Sequence, residues 1–126
     1  MPRVLIIDDE PGIRFALRRW FERQGYGVLE AGDGAQALAQ VQAVQPDDPI
    51  AVVVCDLNLP DISGDALMPQ LVAAEPRLAE RVVLTTGDSI DYAPKGSLLA
   101  THPFVLQKPF DLSSLKVLVE QVMHGG

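Results

Sequence analysis

The sequence predicts an α/β fold: a doubly wound parallel sheet of five strands in (βα)5 order. Two observations carry this. Short apolar, β-branched runs recur, as in Val4-Leu5-Ile6-Ile7, Ala51-Val52-Val53-Val54-Cys55, Val82-Val83-Leu84 and Phe104-Val105-Leu106. Runs of that length and composition are strands buried on both faces. Between them lie segments with apolar residues at helical spacing. Such alternation gives a parallel sheet with helices on both faces, because the crossovers are right-handed.

The elements follow in order. Residues 3–8 form the first strand, ending at Asp8 and Asp9. Glu10-Pro11 opens a helix, with proline in its tolerated first turn. Ile13, Leu17, Trp20 and Phe21 share one face of it, and Arg14, Arg18, Arg19 and Arg23 cover the other. Gly25 suits a left-handed cap. Residues 26–31 form a shorter strand, and Gly32-Asp33-Gly34 turns the chain. This turn lacks the Lys-Ser/Thr and the glycine spacing of nucleotide-binding loops. A second helix turns Ala37, Leu38, Val41 and Val44 inward.

After the loop 46–49 comes the strand ending at Asp56. Ser63 can cap a third helix, whose buried face is Leu67, Met68, Leu71 and Val72. Pro69 should kink that helix unless it falls in the first turn. Residues 81–86 form the fourth strand, and Gly87-Asp88 turns the chain. Pro94 and Gly96 oppose a continuous helix over 88–101, leaving a short helix starting near Pro94 or a poorly ordered segment. Residues 104–107 form the fifth strand. Asp111 caps a last helix with Leu115, Leu118, Val119 and Val122 inward.

Length and composition restrict function. The 126 residues suit one domain, 48% apolar and 21% charged, with a formal net charge of -7. No basic cluster exceeds Arg18-Arg19, which argues against direct nucleic-acid binding. The acidic balance fits a cationic ligand or a basic partner. Cys55 is the single cysteine, so no internal disulfide forms, and it reads as a small buried filler. No segment reads as a signal peptide or a membrane span, and the expected location is the cytoplasm. His102 and His124 read as solvated, Trp20 and Met68 as core.

In a parallel sheet all strand C-termini share one edge, where open α/β sheets place their chemistry. Asp8, Asp9, Asp56, Thr86 and Lys108 all lie at or just past such ends. Three carboxylates brought together repel unless a cation sits among them. Oxygen ligands with open water positions suit Mg2+. A carboxylate beside Mg2+ can attack phosphorus, while the metal and an ammonium neutralise the transferring group. Lys108 can supply the ammonium. A hydroxyl at Thr86 can donate to a phosphoryl oxygen, giving a side chain with two positions.

With these residues in place, the sequence resembles the receiver domain of two-component response regulators, over essentially the whole chain. The likeness rests on "LIIDDE", "DLNLPDISG", "VVLTTGD" and "KPF" in order, with Thr86 30 residues and Lys108 52 residues after Asp56. The resemblance implies a flavodoxin-like fold with strand order 2-1-3-4-5 and a single receiver domain over residues 1–126. It implies that Asp56 takes a phosphoryl group from a phosphohistidine on a sensor histidine kinase or a histidine phosphotransfer protein. Asp8, Asp9 and Asp56 would hold Mg2+, together with the backbone carbonyl of Asn58. Thr86 would be the switch hydroxyl, with Thr85 as the near alternative, and Lys108 would pair with the phosphoryl group. The Lys108-Pro109 peptide is commonly cis in this family. Asn58 and Asp88 flank the acceptor and can tune hydrolysis.

Two departures stand out. Val105 occupies the position where receivers often carry a switching aromatic, and Phe104 points to the other face. The segment after Thr86 also lacks the usual regular helix and Gly-Ala turn. The surface of residues 88–107 is therefore the expected site of an unusual effector, partner or homodimer contact.

Simpler readings stand beside these. Asp8-Asp9 alone fits an acid pair offsetting a helix dipole. Asp88 reads first as a helix cap, and Asp47-Asp48 as a solvated loop. Lys108 alone could be a surface charge. The leading function is a Mg2+-dependent phosphoacceptor, an enzyme only in its own phosphorylation and dephosphorylation. The alternatives are a pseudo-receiver that only binds partners and a haloacid-dehalogenase-type phosphohydrolase. The latter wants an acid two residues after the nucleophile, where this chain has Asn58.

Overall fold

The computed structural model describes residues 1–125, with the backbone alone at Tyr92. Five parallel strands run in the order β2-β1-β3-β4-β5. They are β1 (Arg3–Ile7), β2 (Gly27–Ala31), β3 (Ile50–Asp56), β4 (Val82–Thr86) and β5 (Val105–Gln107). The helices are α1 (Pro11–Arg23), α2 (Gly34–Gln42), α3 (Gly64–Ala74), α4 (Leu98–Thr101) and α5 (Leu112–Gly125). Two 3-10 turns, Pro76–Glu80 and Ile90–Tyr92, flank β4. The expected flavodoxin-like sheet is therefore the one observed.

Alternation along each strand splits the core in two. Leu5, Ile7, Val53, Cys55, Val82 and Leu84 pack with α2, α3 and Leu99 of α4. Val4, Ile6, Val52, Val54 and Val83 pack with Leu17 and Phe21 of α1 and with Leu115, Val119 and Val122 of α5. Every one of these side chains is at most 9% exposed. Val105 packs on the first side and Phe104 on the second, as the sequence predicts.

Local chemistry explains the helix ends. Gly25 sits just past α1 at φ 91°, a left-handed conformation that favours glycine. Ser63 Oγ accepts from the Ala66 amide at 3.3 Å and starts α3. Asp111 Oδ1 accepts from the Ser114 amide at 3.0 Å and starts α5.

Several expectations need correction. β1, β2, β4 and β5 are each one residue shorter than predicted, because Asp8, Tyr26, Arg81 and Phe104 lie just outside the ladders. Pro69 falls inside α3, beyond its first turn. The helix expected near Pro94 starts at Leu98 instead, after a turn in which the Ser97 amide reaches the Pro94 carbonyl and Gly96 takes φ 84°. Trp20 is only half-buried, at the rim of the α1 side. His102 is not solvated: it is half-buried, and its Nε2 lies 2.6 Å from the Val82 carbonyl oxygen. His124 is exposed, as predicted. Among the described residues, no helix is long and apolar enough to cross a membrane.

Candidate phosphoacceptor site

The site is built by the last hydrogen bonds of the sheet. The Asp8 amide donates to the Ala31 carbonyl at 3.1 Å, continuing β1 against β2. Asp56 pairs with Thr85 in register, and the Leu57 amide donates to the Thr85 carbonyl at 2.9 Å. The Lys108 amide donates to the Thr86 carbonyl at 2.7 Å, and the Lys108-Pro109 peptide is cis. Three strand ends separated widely in sequence are thereby fixed along one edge.

Lys108 is the centre of the arrangement. Its Nζ donates to Asp8 Oδ2 and to Asp56 Oδ2, both at 2.9 Å. Glu10 Oε1 lies farther off, at 3.8 Å. Asp8 is 2% and Asp56 3% exposed, so their charges are largely withdrawn from water and need a cation. Burial alone would lower the Lys108 ammonium, but the hydrogen bonds it donates to Asp56 and Asp8 outweigh it and leave its pKa raised. Lys108 is charged at any physiological pH.

The remaining contacts orient the carboxylates. Asp56 Oδ1 accepts from the Asn58 amide at 2.9 Å, so one acceptor oxygen faces the loop and the other the lysine. Asp8 Oδ1 accepts from the Glu10 amide at 2.9 Å. Arg14 Nη1 donates to the Asp8 carbonyl at 2.6 Å, holding the turn after β1. Thr86 is fully buried, and its Oγ1 accepts from the Asp88 amide at 3.0 Å. Thr85 is also buried, and alternation sends its side chain to the opposite face from Thr86. Cys55 lies beneath the site, and burial pushes its thiol up to about 12, which suits a filler rather than a nucleophile.

Sequence reasoning missed two contributors, Glu10 and Arg14. Carboxylate oxygens of Asp8, Asp9 and Glu10 lie within 4.8 Å of one another, so Glu10 joins the acidic group. Its place beside Asp9 was a legible signal. Arg14 gave none, because an arginine on a helix reads as solvated. Asp88 is no helix cap: its Oδ2 accepts from Asn58 Nδ2 at 3.3 Å, and Ser89 precedes the following turn. Asp9 is exposed, whereas Asp8 and Asp56 are buried. An all-oxygen set combining buried carboxylates with a solvent-facing one fits a hard cation that keeps waters, and Mg2+ is such an ion.

A 2-1-3-4-5 parallel sheet with acids and a lysine at its C-terminal edge defines the flavodoxin-like, CheY-like class. The chain belongs to the response regulator receiver domain family, whose profile matches residues 4–120. It is 27% identical over 123 residues to sporulation initiation phosphotransferase F of Bacillus subtilis, covering 96% of this chain and 93% of that one. It is 29% identical to protein PilH of Pseudomonas aeruginosa, covering 99% of this chain and all of that one. Other relatives are longer. The chain spans 58% of a 33% identical Pseudomonas aeruginosa protein and 50% of the transcriptional regulatory protein PrrA of Mycobacterium tuberculosis. Among solved structures, it resembles response regulator protein TrrA of Thermotoga maritima in complex with Mg2+-BeF. The TM-score is 0.79 at 27% identity, covering 97% of this chain and 99% of that one.

Proposed function

We propose that residues 1–126 form a single receiver domain in which Asp56 accepts a phosphoryl group. The donor is a phosphohistidine on a sensor histidine kinase or a histidine phosphotransfer protein. The observation that carries this reading is the bridge from Lys108 Nζ to both Asp8 and Asp56. A buried nucleophilic carboxylate is held beside a fixed positive charge and a second acid.

Chemically, an Asp56 oxygen forms a bond to phosphorus as the P–N bond of the donor breaks, and the nitrogen keeps the electron pair. The Lys108 ammonium then offsets the charge of the phosphoryl oxygens. Thr86, one strand over, exchanges its Asp88 amide contact for donation to a phosphoryl oxygen. Asp8, Asp9, Asp56 and the backbone carbonyl of Asn58 would hold Mg2+. When bound, that ion supplies the positive charge that lets anionic donor and anionic acceptor approach. Catalysis is confined to this self-phosphorylation and to hydrolysis of the resulting acyl phosphate. The surface of residues 88–107 carries the signal to an effector, a partner or a second copy. This reading places the domain in the cytoplasm, where the kinases reside.

Intact mass after incubation with Mg2+ and phosphoramidate tests the proposal. Wild type should gain one phosphoryl group. Asp56→Asn and chelated wild type should gain none. No gain in folded wild type with Mg2+ present would leave a partner-binding pseudo-receiver as the better reading.

A further inference from the structure

The segment after Asp56, the loop together with the first turn of α3, contributes hydrogen bonds to the starts of three helices. Asp61 Oδ1 and Oδ2 accept from the Gly34 and Ala35 amides of α2, at 2.9 and 3.1 Å. Ser63 starts α3 as described above. Asp65, in the first turn of α3, reaches across to α4, where its Oδ1 accepts from the Leu98 amide at 2.8 Å.

The last contact is the unexpected one. Ser97 occupies the N-cap position of α4 but does not cap it, because its hydroxyl donates to the Pro94 carbonyl at 2.6 Å. The first amide of α4 is satisfied by another helix, 33 residues away in sequence. α4 spans only Leu98–Thr101, a single turn, too short to persist by its own hydrogen bonds. Besides the Asp65 contact, α4 is held by Leu99, 9% exposed, by the half-buried Leu98, and at its C-terminal end by His102 against the Val82 carbonyl. A cleft of about 560 Å3 separates the loop after Asp56 from the segment after Thr86. Among the described residues, two side-chain hydrogen bonds span it: Asn58 to Asp88 at the end near Asp56, and Leu98 to Asp65 at the other.

We propose that Asp65 is a clamp that makes α4 follow the loop after Asp56, so that displacement of this loop reaches α4 directly. The clamp gives the segment 88–101 a second link to the acceptor, independent of the Thr86 hydroxyl. That phosphoryl transfer to Asp56 moves the loop rests on the function proposed above; the clamp itself does not.

Amide hydrogen exchange on the full chain tests it. In Asp65→Ala, exchange at Leu98–Thr101 should quicken about tenfold, the effect of losing a helix cap, while α1 and α5 keep wild-type rates. Asp65→Asn, which keeps an acceptor oxygen, should recover part of the protection. Asp61→Ala loosens the same loop at its α2 end, and it should also quicken α4. The Asp61→Ala/Asp65→Ala double variant should then show no further increase at α4 beyond Asp65→Ala alone. Wild-type protection of α4 in Asp65→Ala would overturn the clamp, and so would additive effects in the double variant.

The trigger is read from beryllofluoride with Mg2+, which should shift the amides of both Asn58 and Leu98–Thr101 in wild type. In Asp65→Ala the shift at Asn58 should persist while that at Leu98–Thr101 shrinks severalfold, because only the path through Thr86 and Asp88 remains. Shifts at α4 of wild-type size in that variant would overturn the link. No shift at Asn58 in wild type would count against the phosphoacceptor reading, while the exchange rates still decide the clamp.

Discussion

Lys108 Nζ and Asp56 Oδ2 stand 2.9 Å apart, and the same ammonium is 2.9 Å from Asp8 Oδ2. One monovalent cation thus serves two buried carboxylates. Lys108→Ala should leave them facing each other, costing about 3 kcal/mol, the low end for breaking a buried pair. Mg2+ should restore much of that loss, because a divalent ion stabilises the folded state by mass action. Thermal melts with chelator and with Mg2+ check this. The Mg2+-induced rise in Tm should be larger in Lys108→Ala than in wild type. Equal rises would mean that Lys108 does not balance these acids.

Gly64, the first residue of α3, packs against Leu57, the residue after Asp56. A Cβ there would meet the Leu57 side chain and lie 2.9 Å from Leu57 Cα, which is backbone and cannot step aside. Gly64→Ala should destabilise by roughly 1–3 kcal/mol, as overpacking does. At Gly34 the added methyl meets side-chain atoms alone, the Cγ2 branch of Ile62 first, and no backbone, so Gly34→Ala should be milder. Urea midpoints of the two variants rank them, and the reverse order would contradict the packing described here.

Pro69 interrupts α3, where its ring nitrogen leaves the Asp65 carbonyl without its helical partner. Pro69→Ala restores one backbone hydrogen bond on an exposed face. It gives up some unfolded-state restriction, and the net should be a stabilisation of about 2 kcal/mol. A urea series comparing the two proteins reads it directly. An unchanged midpoint would show that α3 already adapts around the proline.

The strands were legible because burial on both faces leaves continuous apolar runs, and the site was legible because those runs all end at one edge. Val105 and Phe104 could be assigned to opposite faces from strand alternation alone. What stayed hidden depends on contacts across sequence. Asp88 resembles a cap until Asn58, 30 residues earlier, is brought beside it. Asp65 lies in an ordinary helix first turn, and its reach to Leu98 has no local signal. The late start of α4 follows from the same contact, together with the turn between Pro94 and Ser97. His102 was misplaced because its partner is a backbone carbonyl of β4, 20 residues earlier.

Cys55 is fully buried, with its thiol pushed up to about 12. At pH 8 the native protein should react with a thiol reagent at least about a thousandfold more slowly than the unfolded chain, since attack must await opening. Release of chromophore from dithionitrobenzoate, with and without denaturant, measures both rates. Fast native labelling would mean that β3 opens readily beneath the site.

Asp61 gives the acid side of the stability profile. The Gly34 amide, helped by that of Ala35, outweighs the upward push of desolvation and holds its carboxyl below the usual aspartate range. A folded pKa below the unfolded one, about 3.9, means that the unfolded chain takes up the proton first as pH falls. Asp61 therefore contributes its stabilisation above the unfolded value, and the contribution is lost as pH falls through the folded value. Wild type should exceed Asp61→Asn in stability by a constant margin above about pH 5, and the margin should shrink below about pH 4. Glu75 and Asp111 are also held low, by Arg77 and by Ser114 respectively, but they are present in both proteins and cancel in the difference. Urea unfolding of both proteins at pH 7, 5, 4 and 3 gives that difference. A margin that stays flat or widens towards pH 3 would show that the carboxylate charge plays no part in starting α2.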